Sequence, residues 1–168
     1  MTSPKSQKGR HSKVASSASD RPAQAGYEID MTYSAEKVYV GLYKLAKEAE
    51  QRGDYTSQRC TTFNMVREAI KTIIPNDPFN KHYALTDELA NIFRLQKGRL
   101  RICWIGSSKR RRILILFISQ TLRKQGDVND PYRIFTRMVV SGQFDKMFED
   151  LGVSLPHRPP ASSSAKPH

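Results

Sequence analysis

The sequence predicts an α+β domain in which a small antiparallel sheet packs against helices. Three observations carry that expectation. Polar and apolar residues alternate strictly over 27–33, two amphipathic helical stretches follow at once, and three strand-like runs lie between 91 and 119 with Gly and Ser at their joins.

Tyr27, Ile29, Met31 and Tyr33 alternate with Glu28, Asp30 and Thr32, the period of a half-buried strand. Ser34 reads as the N-cap of the next helix, where Val38, Leu42, Leu45 and Ala49 share a face and Gly53 closes the segment. A second helix is expected over about 55–74, with Phe63, Val66, Ile70 and Ile73 on one side and Pro75 as its stop. So short a connection makes the two an antiparallel hairpin. Residues 76–88, with Asp77, Pro78 and Asn80, read as loop.

Strands are expected over about 91–96, 100–105 and 112–119, and the short joins make them a three-strand meander. Trp104 shares a strand face with Leu100 and Ile102, which makes it a core residue. The apolar run 113–118 belongs to a central strand buried on both faces. Asp130 followed by Pro131 starts a helix, an N-cap acceptor and then a residue with no N–H to satisfy. Tyr132, Phe135, Met138 and Val139 form its apolar face up to Gly142. A last short helix over 144–151 ends at Gly152.

Residues 27–153 are therefore expected to form one domain between two tails. Residues 1–26 hold Val14 as their single large aliphatic, and residues 154–168 are rich in Pro and Ser, so neither can bury enough apolar surface to order itself. The longest apolar run is far shorter than the roughly 20 residues of a membrane helix, and a soluble cytoplasmic protein with no membrane partner is expected. Cys60 and Cys103 lack the spacing of a zinc site and read as reduced packing residues.

Charge is distributed unevenly. The net charge is +12, and ten of the 28 Lys and Arg fall within 90–126, a stretch without Asp or Glu. Residues 27–89 and 127–153 together carry −4. A sheet of one charge sign is shaped for a polyanion, nucleic acid foremost.

The usual hydrolytic centres find no material there. A two-metal phosphodiesterase needs carboxylates that this stretch lacks. His11, His157 and His168 lie in the tails, which leaves His82 alone in a loop, and no phosphate loop or nucleophile elbow occurs. No cofactor is expected. What remains is catalysis by cations, in which fixed Lys and Arg stabilise charge that grows during attack of an RNA 2′-hydroxyl on the neighbouring phosphate. Arginine is a poor proton acceptor, so Lys97, Lys124 and Tyr132 are the tunable groups near the sheet.

The stretch 74–153 holds a proline loop before the sheet, Phe93-Arg94 on the first strand of the meander and Arg101-Ile102-Cys103-Trp104 on the second. An Asn129-Asp130 loop then leads into the D-x-Y-R-x-F pattern of residues 130–135. In order and spacing these motifs resemble the RelE/ParE superfamily of toxins from type II toxin-antitoxin systems, nearest to its YhaV-type branch. The resemblance implies a RelE-like fold and a metal-independent endoribonuclease that cuts messenger RNA, often on the ribosome, and inhibits growth. It also implies a cognate antitoxin protein as partner.

Residue by residue, the resemblance assigns Arg94, Arg101, Arg123 and Tyr132 to the catalytic site, with Arg123 at the scissile phosphate. Lys97, Arg99, Lys109, Arg110, Arg111 and Lys124 are expected to bind RNA phosphates. Where the family offers a lysine as base this chain has Arg94, and Lys97 is a candidate substitute. Two other readings stay open: a basic module that binds RNA or DNA without cutting it, and a gyrase-directed relative that acts by protein contact.

Overall fold

The computed structural model describes residues 26–120 and 128–156, and most of each expected tail lies outside them. Strand β1 (Glu28–Met31) leads into helix α1 (Tyr33–Gln51) and then α2 (Gln58–Glu68), which continues through a π turn (Ala69–Ile73) into a short α3 (Ile74–Asn76). Strands β2 (Phe93–Lys97), β3 (Leu100–Ser107) and β4 (Arg112–Ser119) follow, then helices α4 (Pro131–Val140) and α5 (Asp145–Leu151).

The sheet order is β1-β4-β3-β2. The meander β2-β3-β4 is antiparallel as expected, whereas β1 lies parallel to β4, so the four-strand sheet is mixed. The intervening helices carry the chain back to the starting end, as a parallel neighbour requires. Both β3 and β4 are central, and each has a buried majority.

Each face of the sheet buries its own core. Leu95, Leu100, Ile102, Trp104, Ile113 and Ile115 meet Val66, Ala69, Ile70 and Ile74 of the hairpin side. On the other face Cys103, Ile105 and Leu116 meet Phe135, Val139, Phe148 and Leu151 of α4 and α5. The result is three layers, helix on sheet on helix.

Local chemistry sets the helix ends. Thr32, and not Ser34, caps α1: its Oγ1 accepts from Ala35 N at 3.2 Å and donates to Leu116 O at 3.1 Å, fastening the helix start to β4. Pro75 does not end the second helix as expected. The Ile74 N–H already reaches back five residues to Ala69 O, so the ladder has slipped before Pro75 removes a donor, and helix continues to Asn76. Residues 81–83 and 87–89 form 3₁₀ turns inside the expected loop. Gly98 turns the β2–β3 hairpin at φ +59°, a backbone state that side-chain-bearing residues rarely adopt.

Candidate active site

Strand register decides which cations meet. Arg94 on β2 lies opposite Cys103 on β3, and Arg101 stands two residues before Cys103, so both arginines project on the α4 and α5 face. Asp130 caps α4, its Oδ1 accepting from Tyr132 N at 3.1 Å, which sets Tyr132 in the first turn of the helix above that face. Arg94 Nη1 donates to Tyr132 Oη at 3.0 Å. The Arg94 and Arg101 guanidinium carbons lie 5.3 and 5.7 Å from the Tyr132 ring centroid. Arg94 and Arg101 are half-buried while Tyr132 is buried.

A β-bulge builds the floor of this cluster. Cys103 pairs with Phe117 but Trp104 with Ile115, so Leu116 is the extra residue and both it and Phe117 turn toward α4. Phe117 stacks on Phe135, centroids 4.8 Å apart, and meets Tyr132 edge-on at 6.3 Å. The uniform apolar run in the sequence hides the bulge, so no sequence signal marked Phe117 as a supporting residue. Cys103 lies beneath the arginines. Burial pushes its thiol up to about 12, outweighing the opposite pull of Arg94 and Arg101. It is a neutral packing group, as expected.

The other expected positions divide by location. Arg123 and Lys124 lie outside the described residues. Lys97 sits on the opposite sheet face from Arg94 and Arg101, in a groove with Gln58, Thr62 and Met65 of α2, so as a substitute base it points the wrong way. Arg99 is exposed in the adjoining turn and lines the same groove.

Lys109, Arg110 and Arg111 occupy the β3–β4 turn at the far end of the sheet. Arg111 there sits 5.4 Å from the Tyr27 ring centroid. Arg112 has a structural role: its guanidinium bonds Asp30 and approaches Glu28 at 3.8 Å, tying β4 to β1, and these carboxylates raise its pKa further. Two guanidiniums converging on one aromatic residue present donors suited to phosphate oxygens. Among the described residues no group of three or more His, Cys, Asp and Glu is placed to hold a metal ion.

Comparison with known proteins agrees with the motifs. The model of the YhaV toxins, described as a toxin with endonuclease activity, of toxin-antitoxin system, matches residues 32–154. No curated protein matches the chain at a significant level. Among solved structures, the toxin-antitoxin complex RelBE2 from Mycobacterium tuberculosis contains a chain 19% identical to this one, with a TM-score of 0.40 over 55% of this chain and 88% of that chain. Because the family match runs from the N-cap of α1 to just past α5, taking in the meander and both helix layers, this chain belongs to the YhaV family of toxins with endonuclease activity.

Proposed function

We propose that the endonuclease activity is directed at RNA, that it acts on messenger RNA in the cytoplasm through the 2′-hydroxyl without a metal ion, and that a cognate antitoxin protein restrains it. The observation that carries the reading is the convergence of Arg94 and Arg101, from two strands, on Tyr132. In such a cleavage the 2′-oxygen bonds to the adjacent phosphorus and the bond to the 5′-oxygen breaks. One proton leaves the nucleophile and one reaches the leaving oxygen, and the products are a 2′,3′-cyclic phosphate and a free 5′-hydroxyl. Negative charge grows on the non-bridging oxygens, where fixed guanidiniums lower the barrier most.

Arg94 and Arg101 supply that charge in this reading, and Arg123 takes the place at the scissile phosphate that the family resemblance gives it. Neither guanidinium accepts a proton, so proton transfer falls in this reading to Tyr132, which touches both arginines, and to Lys124, which follows Arg123 in sequence. Lys97, Arg99 and the turn at 109–111 hold the flanking phosphates, which fix register and orientation.

The test is incubation of the purified protein with RNA, with and without translating ribosomes, with excess EDTA present, followed by mapping of 5′-ends. The expected products carry 5′-hydroxyls and 2′,3′-cyclic phosphates. A 2′-deoxy nucleotide at the cut blocks the reaction. Arg101→Ala lowers the cleavage rate by roughly 10²- to 10³-fold with an unchanged far-UV spectrum, and Arg123→Ala abolishes both cleavage and growth inhibition. Sensitivity to the chelator, cleavage of DNA in place of RNA, or full activity in Arg101→Ala would sink the reading.

A further inference from the structure

The pairing of β1 with β4 stops at Met31 and Ile115, where the chain leaves for α1, while β4 runs on to Ser119. Beyond that point the two helix layers face each other across a strand end whose only pairing strand among the described residues is β3. A groove of 470 Å³ opens there, lined by Val38 of α1, Phe117 and Ile118 of β4, and Ile134, Phe135 and Met138 of α4.

Gln120 closes this groove and also lines two others. One, of 170 Å³, passes between Leu42 and Leu45 of α1 and Arg59 of α2. The next, of 320 Å³, lies between Met65 of α2 and the turn that carries Lys97 and Arg99. The three make one strip, aliphatic at one end and basic at the other. Val38, Leu45 and Ile134 are 37%, 40% and 42% exposed along it, aliphatic surface open to a partner.

The strip's chemistry selects its occupant. Nucleic acid gains from cations and from open aromatic faces, whereas the groove at Val38 and Ile134 has no cation in its lining and its two rings, Phe117 and Phe135, are stacked on each other. A second copy of this chain would bring another +12 against the basic end. A protein segment with aliphatic anchors followed by carboxylates satisfies both ends at once.

We propose that this strip is the docking surface for such an acidic, amphipathic segment of another protein, its aliphatic side chains in the groove at Val38 and Ile134 and its carboxylates against Lys97 and Arg99. The inference rests on the reading above, in which that protein is the antitoxin. Lys97 and Arg99 belong to the turn joining the strands that carry Arg94 and Arg101. A segment seated there therefore competes with RNA phosphates at the edge of the active site.

The test uses the full chain and the protein encoded by the reading frame beside its gene. Wild type and the Val38→Asp/Ile134→Asp double variant are expressed alone and with that neighbour, and binding of the purified proteins is measured by calorimetry. The variant is expected to remain toxic, to escape neutralisation, and to bind the neighbour at least about 30-fold more weakly, the weight of a single hot spot. Neutralisation and affinity equal to wild type would overturn the proposed surface while leaving the partner in place. Failure of the neighbour to bind even the wild type would overturn the partner and the surface together. Should the double variant lose toxicity, binding by Val38→Ser/Ile134→Ser, with its melting temperature as the check on folding, decides the question by the same affinity criterion.

Discussion

Tyr132 meets Arg94 and Arg101 through its ring and Arg94 also through its hydroxyl, which accepts a hydrogen bond. Tyr132→Phe separates the two kinds of contact, since it keeps the ring for both arginines and removes the acceptor that orients Arg94. A charge-assisted bond at a half-buried site corresponds to about a tenfold change in rate. The expected outcome is therefore a cleavage rate about tenfold lower with nearly unchanged affinity for a 2′-deoxy-blocked RNA. Adding Arg94→Ala should then cost less than it does in the wild type, because the pair acts as a unit. Equal costs in the two backgrounds would show that the hydroxyl does not position Arg94. The family resemblance grouped Arg94, Arg101 and Tyr132, and folding brings these three side chains together. The facing of Lys97 was not legible because the strand was expected to end near residue 96; with β2 running to Lys97, strand alternation puts it, three residues on, on the face opposite Arg94.

Elements were legible wherever local chemistry decides them, and slipped where a tertiary contact does. The Asp130-Pro131 start of α4 and the bounds of β4 stand as read, since a cap and an apolar run are local signals. The start of α1 moved from Ser34 to Thr32 because the Thr32 hydroxyl also finds a carbonyl on β4, a partner 84 residues away. The loop before the sheet is likewise ordered by a distant contact. Trp104 Nε1, fully buried on β3, donates to Pro78 O at 3.0 Å, and the Trp104 ring stacks on Phe93. Trp104→Phe leaves that carbonyl without its donor and opens space behind the ring, so a loss of about 2–3 kcal/mol is expected. Its measure is the denaturant midpoint at constant slope. A shift below about 0.5 kcal/mol would mean that the loop holds its place without the indole.

At the scale of the whole molecule, folding divides the basic stretch that first suggested a polyanion. Arg94, Arg101 and the Lys97 and Arg99 turn gather at one end of the sheet, whereas residues 109–111 lie at the other, about 20 Å away along β3. Arg112 is drawn off by Asp30 and Glu28 of β1, carboxylates absent from the 90–126 stretch but brought to it by the parallel pairing. Sequence order could count these charges but not assign them, because β1 joins the sheet from the other end of the domain. The division makes affinity and chemistry separable. Replacing Lys109, Arg110 and Arg111 together by Ala should weaken binding of a long RNA and lower its salt dependence by about two in log-log slope, given about 0.7 per single-strand phosphate contact. The cleavage rate at saturating RNA should stay unchanged, and a substrate of a few nucleotides, too short to span the sheet, should bind both proteins alike. An unchanged slope would show that the turn meets no RNA, and a fall in the saturated rate would place it in the chemistry despite its distance from Arg101.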